Sequence, residues 1–328
     1  MLDLGIIGPG PDWETRYRPG IMRHGRRFRV TAVYDPVPAR AIHVAEELKA
    51  RPADGIRALL RRPDVSAVLL LQTDWLGLSP LQFAVEESIP CLAAEIADAG
   101  LSLLQGLESD ARRLGIVAMP GLPLRHMPAS IRLRELIAAR LGPAQDLSIS
   151  AKLRGADAVW RDLAQLFDLA TYVLQAAPGR VTAERLSPPS FRARVAFHRR
   201  PLQKELHVGN LTLEIEHEIS PHQGSPVQTI AVDDHSVRIA CACADGIAEI
   251  EGSARIRWSS RGQTQIEVLK EDRSSFDVQL DHFTRRVVGG LIPVPDLSDL
   301  CRAFAAVQAV QQSLDTGTSI DVQHCAQP

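Results

Sequence analysis

Lysine is scarce in this chain: Lys49, Lys152, Lys204 and Lys270 are its only lysines among 37 basic side chains, the rest being arginine. Any mechanism that needs a lysine must choose among those four. Cysteine is sparse and odd in number, with Cys91, Cys241, Cys243, Cys301 and Cys325 scattered along 328 residues. That argues against a disulfide framework and for reduced thiols in the cytoplasm. No apolar run approaches the ~20 residues of a spanning helix, so no membrane is expected as a partner. The N-terminal residues already read as a core strand, without a basic n-region or cleavage site, so export is not expected. Net charge is small, −2 at pH 7, which removes the electrostatic case for nucleic acid. Internal repeats, low-complexity linkers and metal-ligand spacings are missing as well, and no metal is expected. Cys241 and Cys243 lie two apart on a probable strand and face one side. Without a second ligand pair they read as buried small apolar residues rather than a metal site.

What is present is globular: 45% hydrophobic and 23% charged residues, in a chain long enough for two domains. The most informative stretch comes first. Leu4-Gly5-Ile6-Ile7 is an apolar strand that runs into Gly8-Pro9-Gly10, and a second strand, Phe28 to Tyr34, closes on Asp35. Strand, glycine turn, helix, strand and acid is the order that holds a dinucleotide. The glycines let the backbone approach a pyrophosphate at a helix N-terminus, and the acid accepts hydrogen bonds from ribose hydroxyls. Two features depart from the fingerprint. Trp13 stands where a third glycine would allow close helix packing, so the helix must move outward or rotate. The interval from Gly8 to Asp35 is 27 residues, against about 20 in the motif. Arg16 and Arg18 follow, either as phosphate ligands (including a 2′-phosphate) or as solvated side chains of an exposed helix.

Strand and helix patterns alternate through the first third of the chain. Pro36 suits the first turn of a helix bearing Ile42, Ala45 and Leu48, and Asp54 is the expected cap of a short helix through Leu60. Val65 to Leu71 reads as a strand buried on both sides. Ser79-Pro80 opens a helix, Pro90 to Ala94 is a strand, Leu101 to Leu114 is a helix stopped by Gly115, and Ile116 to Met119 is another strand. This order implies a doubly wound parallel sheet. Pro120, Pro123 and Pro128 mark a junction, after which come helices at Ser130 to Arg140 and Leu163 to Gln175. From Val181 to Val268 the texture is β, with Leu211, Leu213 and Ile215 alternating with Thr212, Glu214 and Glu216. His217, on the apolar side, reads as a core or interface histidine. Helices at Phe276 to Val288 and Leu297 to Leu314 and a short strand at Ser319 to Val322 close the chain.

Taken in order, these segments resemble the glucose-fructose oxidoreductase / inositol dehydrogenase / rhizopine-catabolism (GFO/IDH/MocA) family. The resemblance is carried by Gly8-Pro9-Gly10, Tyr34-Asp35-Pro36 with Ala39-Arg40-Ala41, and Asp64-Val65-Ser66-Ala67-Val68. It continues through Gly121-Leu122-Pro123-Leu124-Arg125, Asp168, Gly290-Leu291-Ile292-Pro293-Val294-Pro295 and Ser313-Leu314-Asp315-Thr316-Gly317. It implies an α/β fold: a Rossmann domain over residues 1–122, then an α+β domain over 123–328 with a large, mostly antiparallel open sheet. The last helix, about 297–314, is expected to pack back on the first domain. It further implies NAD or NADP in the Rossmann domain and oxidation or reduction of a hydroxyl carbon on a sugar or cyclitol. A substrate site beside the second domain's sheet, and homo-oligomers that pack those sheets, are implied too.

The resemblance fails at the chemistry. The family's catalytic lysine lies in a Glu-Lys-Pro stretch, and the matching residues are Glu95-Ile96-Ala97. Isoleucine cannot hold the proton that hydride transfer leaves behind. The family's histidine, three residues before an aspartate, is replaced by Gln165 ahead of Asp168. Glutamine can bind a hydroxyl but does not titrate near neutrality. The expected cofactor contacts are therefore Gly8, Gly10, Asp35, Thr73, Asp74 and Glu95, with NAD favoured over NADP because Asp35 repels a 2′-phosphate. Arg125 and Gln165 are the expected substrate contacts. Asp168, Lys152 and Asp162 are the candidates for proton transfer. Three readings stay open: an NAD(P)-dependent oxidoreductase with relocated acid and base groups; a catalytically inactive relative that binds nucleotide or sugar as a sensor or partner subunit; and a structural protein that binds neither.

Overall fold

A computed structural model describes residues 1–95, 100–154, 159–187, 189–199, 206–218, 237–270 and 273–323. The chain forms two compact units, Met1–Pro123 with Arg273–Cys301, and Leu124–Asp272 with Arg302–Pro328.

In the first unit, strands β1 (Leu2–Ile7), β2 (Phe28–Tyr34), β3 (Arg51–Pro52), β4 (Ala67–Leu70), β5 (Cys91–Ala93) and β6 (Ala118–Pro120) form one parallel sheet. Their order is β3-β2-β1-β4-β5-β6, the doubly wound order that places a ligand crevice at the carboxyl ends of the strands. Helices α1 (Arg18–Arg23), α2 (Pro38–Leu48), α3 (Ile56–Leu60), α4 (Ser79–Glu86) and α5 (Leu101–Leu114) connect them. All four residues of β4 are buried, as an uninterrupted apolar run between two helical layers requires. Two helix starts differ from the sequence expectation. Pro38 rather than Pro36 opens α2, because the Asp35 carboxylate accepts the Val37 N–H at 2.9 Å and folds the intervening turn. Gly55, not Asp54, sits at the start of α3 and provides no side-chain cap.

The second unit opens with α6 (Pro128–Leu136), which widens into a π-helical turn over Ile137–Leu141 and stops at Gly142, φ 70°. Then follow β7 (Ala144–Arg154), α7 (Val159–Leu174), β8 (Ala177–Ser187), β9 (Ser190–Arg199) and β10 (Leu206–Glu218). The hairpin strands β11 (Val237–Cys243), β12 (Gly246–Glu251), β13 (Arg255–Ser260) and β14 (Gln263–Val268) come next, and β15 (Ile320–Asp321) lies near the chain end. Among the described residues these strands make one sheet in the order β14-β13-β12-β11-β7-β10-β9-β8-β15. All its pairings are antiparallel except β7 with β10. Leu147, Ile149 and Ala151 of β7 and Leu211, Leu213 and Ile215 of β10 point to one buried face, and α7 packs against these strands. The opposite face is polar and carries cross-strand ion pairs such as Lys152–Glu216 (3.1 Å) and Arg192–Glu214 (2.7 Å).

The chain then contributes α8 (Ser275–Val287) to the first unit. Ser274 and Asp277 form a capping box at its start. Phe276, Leu280 and Phe283 join the core of β1, β2 and β4 together with Trp13 and Tyr17. Ion pairs Arg23–Asp277 and Arg27–Asp281 tie α8 to the segment before β2. The last helix, α9 (Leu297–Thr316), starts in the first unit and ends in the second.

Candidate functional site

The turn after β1 is built for close backbone approach. Gly8 and Gly10 both sit at φ 68°, in the left-handed region. A Cβ on Gly8 would meet the Gln72 carbonyl oxygen at 2.8 Å, and one on Gly10 would meet Gln72 Oε1 at 1.9 Å. Asp35, at the end of β2, is 4% exposed. Its carboxylate accepts the Gly10 N–H at 3.2 Å, and Arg40 Nη1 donates to both of its oxygens at 3.1 and 3.3 Å. The acid and the glycine turn of the sequence motif are thus one connected structure.

The same turn is also occupied by the protein's own polar groups. Gln72, at the end of β4, accepts the Asp12 N–H at 3.0 Å and donates to the Asp12 carboxylate at 2.9 Å. Trp13 is buried in the core, and its indole N–H donates to Glu47 at 3.1 Å. The displacement expected of an indole at the third-glycine position takes the form of a π-helical turn, Trp13–Tyr17, ahead of α1. A π turn is wider than an α turn and makes room for the ring. Arg16 and Arg18 are partly exposed, with side chains 31% and 40% accessible, and both are already ion-paired. Arg16 pairs with Glu95, and Arg18 pairs with Glu47 and, at 3.5 Å, with Glu14. Glu95 also accepts the Tyr17 hydroxyl at 3.1 Å. Burial pushes the Tyr17 phenol well above its usual range, with neighbouring Arg16 opposing the shift.

Thr73 is buried beside the turn. With Glu95, Leu70, Leu81, Pro120 and Leu300 it lines a cavity of about 20 Å³. That is room for a single water, which needs roughly 10–15 Å³. Ile96 and the side chains of Asp74 and His217 lie outside the described residues.

The second unit gathers most of the remaining candidates on and beside α7. Arg125, in a 3-10 turn over Pro123–His126, holds Asp168 in a two-pronged pair: Nε donates to Oδ2 at 2.8 Å and Nη2 to Oδ1. Asp168 is 2% exposed. The Arg125 and Arg134 guanidiniums lie 5.6 and 5.7 Å from the Tyr172 ring centroid. Burial raises the Tyr172 phenol while the two arginines oppose it. Asp162 is buried as well. Gln165 is 3% exposed, and its Oε1 has no hydrogen-bond partner among the described residues. Lys152 does not join this group. It is exposed on the polar face of the sheet, opposite α7, and pairs with Glu216. Strand alternation separates it from the two aspartates.

Three partners emerge only in the fold: Arg40 for Asp35, Gln72 over Gly10, and Glu47 for Trp13 and Arg18. Arg40 was within reach: five residues after Asp35, on the first turn of α2, it can fold back onto the acid. Gln72 and Glu47 depend on tertiary register and carry no local signature. Among the described residues, no three or more His, Cys, Asp or Glu gather as metal ligands, and no helix is long and apolar enough to cross a membrane.

No protein-family model matches the sequence, and no curated protein matches it either. Solved structures do match along nearly the whole chain. UDP-N-acetylglucosamine 3-dehydrogenase GnnA from Acidithiobacillus ferrooxidans is 18% identical, covers 96% of this chain and 98% of its own, and superposes with a TM-score of 0.73. An oxidoreductase from Agrobacterium radiobacter, solved with NAD+, L-tartaric acid and magnesium, is 16% identical, with 98% of both chains covered and a TM-score of 0.76. The transcriptional regulator Gal80p from Kluyveromyces lactis is 13% identical, with 98% and 94% covered and a TM-score of 0.77. The chain therefore has the fold of the GFO/IDH/MocA-type oxidoreductases, as its sequence resemblance implies. That fold serves a dehydrogenase and a regulator alike.

Proposed function

We propose that the protein binds a nicotinamide dinucleotide at the Gly8–Gly10 turn and oxidises or reduces a hydroxyl or keto carbon of a sugar- or cyclitol-like substrate. The observation that carries this reading is Asp35, buried at the end of β2 and joined to the Gly10 amide. An acid in that place accepts ribose hydroxyls and disfavours a 2′-phosphate, so NAD is preferred to NADP. The residues present fit the ribose end of the cofactor. The pyrophosphate end requires Gln72 to turn aside, and its terminal amide is the flexible part of that side chain. Once bound, the cofactor supplies the hydride acceptor or donor. Thr73 and Glu95 lie at the carboxyl ends of β4 and β5, where that fold meets its cofactor.

On the second unit, Gln165 supports a polyhydroxy substrate. Leaving a buried amide oxygen unpartnered costs roughly 1–3 kcal/mol, and a substrate hydroxyl would satisfy it. Arg125, fixed by Asp168, offers a positive group of set direction. Asp162 and Asp168 remain as proton acceptors, because Lys152 faces the other way. Among the described residues the cysteines are buried free thiols, which agrees with a cytoplasmic setting, and the polar face of the nine-stranded sheet is the surface for a homo-oligomer.

A second reading has its own support. Gln165 cannot transfer a proton, Asp168 is committed to Arg125, and the likeness extends to a transcriptional regulator. On that reading the protein binds nucleotide or sugar without turnover. Titrating NAD and NADP against the melting temperature tests binding, with a larger shift expected for NAD and none in Asp35→Ala. A screen of polyols and keto-sugars for reduced or oxidised nicotinamide then separates the two readings. Turnover abolished by Asp168→Asn supports the enzyme, and a shift without turnover supports the binder. If neither nucleotide moves the melt, the enzyme reading and nucleotide binding both fail, leaving only a sugar binder.

A further inference from the structure

Strand β11 ends in Cys241-Ala242-Cys243. The alternation of a strand puts both thiols on one side, and the two sulfurs stand 3.6 Å apart. Cys243 is the less buried, 9% exposed against 2% for Cys241. The two thiols share a hydrogen bond that either can donate; with Cys241 as donor, the bond lowers the Cys243 thiol against the opposing effect of burial and, together with burial, raises that of Cys241. The positive charge of Arg134, whose guanidinium also donates to the Val173 carbonyl at 3.1 Å, weakly opposes the rise of the Cys241 thiol. Cys91 and Cys301, by contrast, are fully buried, and burial pushes the Cys91 thiol up to about 12.

Geometry decides whether such a pair can be joined. Residues two apart in a strand are roughly 6.7 Å apart at Cα, at the upper edge of the ~4.4–6.8 Å that a disulfide spans. Cys243 is the last residue of β11, and the register against β7 shifts between Ala242 and Cys243. The unmatched residue, Gln145, lies on β7; the local twist rises at such a bulge, and a strongly twisted strand has a shorter rise per residue. A bridge closed at the edge of its range is easily reduced again.

We propose that Cys241 and Cys243 are a peroxide-oxidised thiol pair, with Cys243 as the attacking and Cys241 as the resolving thiol. The Cys243 thiolate attacks one peroxide oxygen; the S–O bond forms, the O–O bond breaks, and hydroxide leaves. Cys243 becomes a sulfenic acid and the peroxide is reduced. Cys241 then attacks the Cys243 sulfur; the S–S bond forms, the S–O bond breaks, and water departs with the Cys241 proton. In sum, two thiols and one peroxide give one disulfide and two waters.

The test is a mass map. Tryptic cleavage releases Ile239 to Arg255, which holds both cysteines and no other. After equimolar hydrogen peroxide, quenching and alkylation, this peptide should be lighter by two hydrogens and unalkylated, and reduction should restore it. Cys241→Ser should leave a sulfenic acid at Cys243 that dimedone traps, and Cys243→Ser should slow oxidation at residue 241 by about tenfold or more. Full alkylation of both thiols in the oxidised wild-type protein would overturn the proposal. So would a disulfide to another cysteine or another chain. The wild-type map decides even where a variant does not fold.

Discussion

The Arg125–Asp168 pair offers the sharpest test of the second unit. Its side chains are 12% and 2% exposed, so neither charge can be rehydrated in place when the other is removed. Arg125→Met leaves a buried carboxylate opposite a hydrocarbon, and Asp168→Leu leaves the converse. Each single change should destabilise by about 3–5 kcal/mol, the usual effect of stranding one member of a buried pair. The double variant removes both desolvation penalties and should recover most of that loss. The readout is hydrogen exchange in peptides from α7, which reports the second unit alone. A loss of about 3 kcal/mol lowers protection there roughly a hundredfold, at 1.4 kcal/mol per factor of ten, provided exchange occurs by opening of the whole unit. If either single variant shifts protection less than about fivefold, the pair behaves like a screened surface contact worth at most ~1 kcal/mol. The claim that it fixes Arg125 would then fall.

Other perturbations follow from the first unit. A Cβ on Gly121 would lie 2.2 Å from the Ala94 carbonyl oxygen, and backbone cannot step aside as a side chain can; Gly121→Ala should cost about 1–3 kcal/mol in urea unfolding. Burial and neighbouring arginines lower the pKa of both His24 and His282, with Asp277 partly opposing at His24. The unfolded chain therefore binds protons that the folded one refuses. Stability should be full above the ordinary histidine value near ~6.5 and fall as pH drops from there toward the folded values. A flat stability profile between neutrality and mild acid would contradict this, and His24→Gln should flatten part of it. Gln72→Ala removes the amide standing over Gly10 and should tighten NAD by about tenfold in calorimetry. Unchanged or weaker binding would show that Gln72 is not the obstacle.

Much of the first unit was legible because its signals are local. An apolar run reads as a doubly buried strand, a glycine at φ 66° stops α5 at Gly115, and the β1–turn–β2–acid order marks the crevice. The β-rich second half was legible as texture, since Leu211, Leu213 and Ile215 alternate with polar residues. Its strand order was not, because period-two alternation says which face is wet but not which strand is the neighbour. The parallel pairing of β7 with β10 spans a long crossover that no residue announces. Placement of the site side chains is tertiary in the same way. A one-residue phase on β7 decides which face Lys152 takes, and nothing in its neighbours along the chain fixes that phase. The Arg125–Asp168 pair joins residues 43 apart; each was singled out alone, for different roles, and their union is purely tertiary.

The arginines around the glycine turn set the terms on which a dinucleotide can bind. Arg16 is held by Glu95, Arg18 by Glu47 and Glu14, and Arg40 by Asp35. A pyrophosphate arriving at this turn exchanges an internal ion pair for an external one, so its affinity is a difference between two similar energies. Neutralising the internal acceptor should therefore strengthen binding although it removes a residue of the site. Glu95→Gln keeps the shape and a hydrogen-bond acceptor for Tyr17 while releasing Arg16 from its charge partner. Since charge-assisted hydrogen bonds are about twice as strong as neutral ones, a gain of ~1 kcal/mol, or about fivefold in NAD affinity, is expected. The gain should vanish in Glu95→Gln/Arg16→Met. If Glu95→Gln instead weakens NAD, the carboxylate itself contacts the cofactor, and Arg16 is its support rather than the group it withholds.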